Sequence, residues 1–114
     1  MSFNRGDVVL VPFPFTDLTT QKQRPALVIS SNNFNASFPD IILLGITSQI
    51  SRHLAQSDYQ LTSNEQQSAG LPKPSIVRAA KVVTLSQGLI RKTLGRLPVQ
   101  TVDRVVTQLD AIIK

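Results

Sequence analysis

The chain has 114 residues, of which 41% are apolar and 17% charged, and its formal net charge is +5. That length carries one hydrophobic core, so residues 1–114 are expected to form a single domain, and the composition is that of a packed protein and not a disordered one. With no cysteine and one histidine, disulfides, thiolate metal sites and multi-histidine centres within one chain are excluded, and no metal or other cofactor is expected. No apolar run approaches the ~18 residues of a membrane span, and Met1–Arg5 lacks an apolar leader segment. The expectation is a cytoplasmic protein without membrane association. Its positive charge favours a polyanionic partner or an acidic protein.

Gly6-Asp7 opens a first strand running from about Val8 to Phe15, rich in β-branched, aliphatic and aromatic residues. Pro12 and Pro14 lack amide donors, so this strand is not central along its whole length. A polar loop, Thr16–Gln23, follows. The second strand, Pro25–Ser31, is too apolar for an exposed edge, and Pro25 holds Arg24 in extended geometry at its mouth. Asn32–Ser37 reads as a turn or a single helical turn. The third strand spans about Asp40–Thr47, and a second polar loop, Ser48–Ser57, carries Gln49, Arg52 and His53. Asp58–Thr62 alternates polar and apolar residues like a half-buried strand. Ser63–Pro74 reads as another loop, with Gly70, Pro72 and Pro74 as breakers. Ser75–Leu85 is a strand region, divided near Lys81, and Leu89–Leu94 a short last strand ending at Gly95. From Pro98 the period changes: Val99, Val102, Val106, Leu109 and Ile113 form one apolar stripe, widened by Val105 and Ile112, which predicts a helix to Lys114. Several short strands with a terminal helix give a mainly β fold, a small bent sheet or barrel.

Two strand ends carry the candidate chemistry. Arg24 stands at the entry of the second strand, and Thr47 and Ser48 close the third. Alternation puts Gly45 and Thr47 on one face and Ile46 and Ser48 on the other. Thr47 is therefore the expected inward hydroxyl, with Gly45 leaving room for a ligand near the backbone. A guanidinium presents a planar fork of donors matched to phosphate oxygens. Such a pair suits RNA cleavage, in which the 2′-hydroxyl attacks phosphorus and charge builds on the non-bridging oxygens. Asp7, Asp17, Asp40, Asp58 and Glu65 fall in no recognisable acid–base motif, and His53 has none around it.

Arg5-Gly6-Asp7-Val8-Val9-Leu10-Val11, Arg24-Pro25-Ala26-Leu27-Val28-Ile29-Ser30 and Ile46-Thr47-Ser48 resemble, in order, the three signature blocks of the MazF/PemK toxin family. Lys73-Pro74-Ser75-Ile76-Val77-Arg78 and Leu94-Gly95-Arg96-Leu97 resemble its PemK-like branch, so the likeness covers nearly the whole chain. The resemblance implies a small SH3-like barrel of the MazF/PemK/CcdB type that forms a homodimer. It implies a ribosome-independent endoribonuclease that needs no metal, cutting single-stranded mRNA to 2′,3′-cyclic phosphate and 5′-hydroxyl ends. It implies a cognate antitoxin whose acidic segment covers the same groove. By this resemblance Arg24 and Thr47 are the catalytic pair, and Lys22, Phe15, Ser48, Gln49 and Arg78 are the candidate RNA-binding residues beside them. The first loop here lacks the glycine common in the family. Two alternatives stand beside this reading: a CcdB-type toxin that poisons DNA gyrase, and a barrel that binds RNA without cutting it. The first uses C-terminal residues that include tryptophan, which this chain lacks; the second uses the same Arg24.

Overall fold

A computed structural model describes residues 3–13, 22–49 and 56–114. Its strands are β1 (Asp7–Phe13), β2 (Lys22–Val28), β3 (Asp40–Thr47), β4 (Asp58–Gln60), β5 (Ile76–Ser86) and β6 (Lys92–Arg96). The helices are α1 (Asn32–Ser37), α2 (Ser63–Ser68) and α3 (Val99–Ile113), with a 3-10 turn at Gln87–Leu89. The six strands make one antiparallel sheet in the order β4-β5-β3-β2-β1-β6. The mainly β architecture with a terminal helix agrees with the sequence reading.

The sheet buries apolar side chains on both faces, which is why β2 and β3 read as continuous apolar runs rather than alternating ones. Val8, Leu27, Leu44, Ile46, Val77 and Ala79 pack on one face beneath Val102 and Val105 of α3. Val9, Val11, Ala26, Val28, Ile41 and Leu43 pack on the other, joined by Phe3, Val83, Leu85 and Ile90. Prolines lie where the ladder is one-sided. Pro12 pairs with Gln23 of β2 but falls beyond Leu10, the last β1 residue paired to β6. Pro25 lies one step outside the β2–β3 register, which begins at Ala26. Neither proline therefore removes an amide from these ladders.

The expected barrel is not closed by hydrogen bonds, because β4 and β6 are opposite edges of the sheet. The seam between them is occupied instead by α2, a segment expected to be loop. Thr62 caps it with a complete capping box: its hydroxyl accepts from Glu65 N while the Glu65 carboxylate accepts from Thr62 N. Its C-terminus is a Schellman motif, with Gly70 N donating to Gln67 O and Leu71 N to Gln66 O. Gly70 has φ +72°, and a Cβ there would collide with the Leu94 carbonyl of β6. A Cβ on Gly95 would in turn meet the backbone of Ser68 and Ala69. Two glycines thus let α2 and β6 touch backbone to backbone, and Ser68 Oγ donates to Arg96 O across the join.

Boundaries moved for local reasons. β6 starts at Lys92, not Leu89, because Leu89 is taken into the 3-10 turn capped by Ser86. β5 is continuous, yet its register shifts between Leu44 and Gly45 of β3, so Ala79–Lys81 bulge where a division was expected. On α3 the buried line is Thr101, Val102 and Val105, while Val99 and Ile113 are 66% and 68% exposed. The stripe is rotated from the expected one, centred on Val105. Pro98 is the residue before the helix, its carbonyl accepting from Thr101 N and Val102 N. No helix of the described residues is long and apolar enough to cross a membrane.

Glu65 ties three elements together. Its carboxylate accepts from Tyr59 Oη of β4 and Thr101 Oγ1 of α3 as well as from the α2 cap. Burial pushes its pKa up, but the hydrogen bonds from Thr101, Thr62 and Tyr59 outweigh burial and hold it below the ordinary glutamate value. Burial, then the Glu65 carboxylate, push the Tyr59 phenol upward. A depressed carboxyl stabilises the fold above its unfolded pKa, and that contribution is lost as pH falls through the folded value. Urea denaturation should therefore show stability dropping as pH falls through and below the ordinary glutamate range, with a shallower drop in Glu65→Gln. Gly70→Ala should cost at least ~1–2 kcal/mol from the left-handed backbone alone, the Leu94 collision adding to it.

Candidate active site

Residues paired across antiparallel strands carry their side chains on the same face. Ala26 is opposite Gly45, Gly45 opposite Arg78, and Arg78 opposite Asp58. One row across four strands therefore reads Ala26, Gly45, Arg78, Asp58. The next row begins with Val11 opposite Arg24 and ends with Thr47 opposite Ile76 and Ile76 opposite Gln60. Continuing the β2–β3 register two residues beyond Ala26–Gly45 brings Arg24 opposite Thr47. By alternation the two predicted catalytic residues fall in one row of adjacent strands, two positions past the last paired residues, and Arg24 also borders the cavity on the other side of the sheet. Two small residues, Ala26 and Gly45, lie between them and Arg78.

Each side chain has a local reason for its place. Pro25 favours extended geometry for Arg24, the third residue of β2, and Arg24 is half-buried. Thr47 ends β3 and is also half-buried; its Oγ1 accepts from Gln49 N at 3.1 Å. That bond uses an acceptor lone pair and leaves the hydroxyl hydrogen for an anion. Arg78 Nε lies 3.5 Å from Asp58 Oδ1, and the Asp58 side chain is 4% exposed against 41% for Arg78. A buried carboxylate so placed orients the guanidinium while leaving it open to solvent. Among the described residues no group of three or more His, Asp or Glu side chains is placed to hold a metal ion.

Ser48 takes the other face, as alternation requires. It borders a cavity of about 400 Å³ together with Leu10, Arg24, Pro25, Ile46, Ser75 and the Gly70–Lys73 turn. Thr47 is not among the residues lining that cavity, whereas Arg24 is. Gln49 is exposed next to it. Lys22 begins β2. Phe15 and His53, with most of the two predicted groove loops, lie outside the described residues.

Two features escaped sequence reasoning. Asp58 and Asp7, which fall in no acid–base motif, are the ion-pair partners of Arg78 and Arg96. Lys92, which begins β6, reaches the same cavity as Arg24, as does Lys73. No linear spacing announces either meeting, because both arise from strand register and the α2–β6 contact.

The family of PemK-like, MazF-like toxins of type II toxin–antitoxin systems matches residues 4–113. No curated protein has a sequence that matches this chain. Among solved structures, MazF from Deinococcus radiodurans is similar with a TM-score of 0.78 and 19% identity, over 99% of this chain and 97% of that one. An endoribonuclease in complex with its cognate antitoxin from Mycobacterial species is similar with a TM-score of 0.75 and 21% identity, over 96% and 93% of the two chains. A MazE–MazF complex from Deinococcus radiodurans contains a chain with a TM-score of 0.76 and 19% identity, over 99% and 97%. These likenesses establish the fold.

The Arg78–Asp58 pair generates a stability prediction. Arg78→Ala removes a cationic partner from a buried carboxylate and should cost about 1–2 kcal/mol in urea denaturation. Asp58→Asn in the Arg78→Ala background should recover part of that loss, because no charge is then left buried.

Proposed function

The chain belongs to the PemK-like, MazF-like toxins of type II toxin–antitoxin systems, and from that premise we propose that it is an endoribonuclease that cuts single-stranded mRNA. The observation that carries this reading is the shared row of Arg24 and Thr47, a guanidinium and a hydroxyl at the open end of two buried strands. The resemblance of the signature blocks assigns catalysis to these two residues.

The reaction follows from the groups present. The scissile phosphate lies against the Arg24 guanidinium, whose donors neutralise its non-bridging oxygens and contact the departing 5′ oxygen. Thr47, its oxygen held by Gln49 N, donates its hydroxyl hydrogen to a non-bridging oxygen. The neighbouring 2′-hydroxyl gives its proton to water and attacks phosphorus, the bond to the 5′ oxygen breaks, and that oxygen takes a proton from water. The products are a 2′,3′-cyclic phosphate and a 5′-hydroxyl. Arginine is always charged and supplies electrostatic stabilisation without a metal ion. Arg78, fixed by Asp58, holds a flanking phosphate, and Ser48, Gln49, Lys22 and Phe15 bind the RNA.

Residues 1–114 act as one toxin domain, assembled as a homodimer in the cytoplasm and independent of the ribosome. An antitoxin bearing an acidic segment neutralises it by covering Arg24. The net charge of +5 and the antitoxin complexes of the structural relatives support this partner.

The test is incubation of a long single-stranded RNA with the purified, antitoxin-free protein in EDTA, followed by mass spectrometry of the 3′ ends. Discrete cuts with cyclic-phosphate ends are expected, and loss of either Arg24 or Thr47 to alanine should slow cleavage by about 10²–10³-fold. Intact RNA with a folded protein would point to RNA binding without cleavage or to gyrase poisoning. Cleavage that survives Arg24→Ala would place the site elsewhere.

A further inference from the structure

The cavity on the opposite face from Thr47 has a construction of its own. Lys92 is opposite Leu10, and Leu10 is opposite Pro25; continuing the β2–β3 register one residue puts Ile46 next. Its floor is thus a cross-strand row with a lysine at the β6 end and apolar side chains along the rest. Its wall is the turn that follows α2. Leu71 is anchored in the core at 7% exposure, and Lys73 stands between Pro72 and Pro74. Pro74 confines Lys73 to extended geometry, and the buried Ser75 donates its hydroxyl to Lys73 O at 2.9 Å. The wall packs directly on the floor, with the Gly70 backbone against the Leu94 carbonyl of β6. Lys73 and Lys92 are exposed cations beside one apolar cavity, whose lining contains no acidic residue among the described residues.

We propose that this cavity is a second nucleotide-binding subsite, in which one unstacked base of the RNA sits on Leu10, Pro25, Leu71 and Leu94 while Lys73 and Lys92 hold its phosphate. The inference rests on the endoribonuclease reading and extends it. The volume of about 400 Å³ falls in the ~300–1,000 Å³ range of small-ligand pockets. Single-strand sites combine cations that follow the phosphates with surfaces for the bases, ordinarily aromatic; here leucine and proline side chains supply the apolar surface and two lysines the cations. Ser48 supplies a hydroxyl for the base edge. Because Arg24 borders the same cavity, the nucleotide held here adjoins the phosphate held at Arg24, and the strand passes from one sheet face to the other at the mouth of β2 and β3. Lys73 and Lys92 then set the direction in which the substrate leaves the cutting site.

The experiment is fluorescence-anisotropy titration of randomised 2′-O-methyl RNA octanucleotides, which bind without being cut, against the wild type and Lys73→Gln/Lys92→Gln. Both lysines are exposed, so the variant should melt like the wild type. The variant should bind at least tenfold more weakly, and its slope of log K against log salt should be shallower by about 0.7, because one phosphate is no longer neutralised. Inorganic polyphosphate of matched charge should compete at least tenfold less well than the oligonucleotide for the wild type. Unchanged affinity and slope in the variant, with wild-type RNA cleavage intact, overturns the subsite alone. Equal competition by polyphosphate also overturns it, leaving a surface that reads charge only. A loss confined to a Glu-rich peptide, with RNA affinity unchanged, overturns it in favour of a protein ligand. A wild type that neither binds nor cuts RNA overturns the endoribonuclease reading as well.

Discussion

The pairing of Ala26 with Gly45 is the constraint on which the proposed site depends. Side chains alternate with a period of two, so a slip of one residue between β2 and β3 would send Arg24 and Thr47 to opposite faces. The slip is prevented because both faces of these strands are buried: Leu27 and Leu44 on one, Ala26, Val28 and Leu43 on the other, all fully inaccessible to solvent. At roughly 25 cal/mol per Å² of apolar surface, moving several such side chains into unsuitable volumes would cost far more than any local rearrangement recovers. Pro25 adds a local restraint at the point where the strands open. The core thus sets the position of the polar groups that it does not contain.

A second dependence links the edge of the sheet to the chemistry. β4 and β6 do not pair, and the seam between them is held by α2, its two glycine contacts and the carboxylate of Glu65. The same helix ends in the Pro-Lys-Pro turn that walls the cavity beside Arg24. Exposed helix faces and turn lysines usually report nothing of function. Here they are held against β6 by backbone contact at Gly70 and Gly95, and Lys73 and Lys92 border one cavity.

Much of the fold was legible in the sequence because burial writes itself into runs and periods. The strand β3 and the terminal helix appeared where expected, whereas β2 runs from Lys22 to Val28 and not from Pro25 to Ser31, taking in the end of the expected loop; Arg24 was marked by the proline after it. The helix α2 was missed because Ser-Asn-Glu-Gln-Gln-Ser has no apolar stripe. Its signals were the Thr62/Glu65 capping box and the glycine after its end. Leu89 looked like strand and became a turn because Gln87 is recruited elsewhere, its side chain bonding Phe3 N, Asn35 O and Phe38 O. Gly95 read as a strand terminator, whereas its role is to admit the α2 backbone. For the site, Arg24 before its proline and Thr47 at the end of β3 were visible, but Asp58 beneath Arg78 and the placement of Lys73 and Lys92 at one cavity depend on tertiary register, which no spacing along the chain encodes.

The central claim is that Arg24 and Thr47 hold one phosphate of a single strand between them. A crystal structure of the protein with a 2′-O-methyl RNA oligonucleotide that it binds but does not cut tests this most directly. The account predicts a phosphate group within hydrogen-bond distance of both the Arg24 guanidinium and Thr47 Oγ1. A strand whose phosphates approach neither residue, in a crystal where this face is open to solvent, would contradict it.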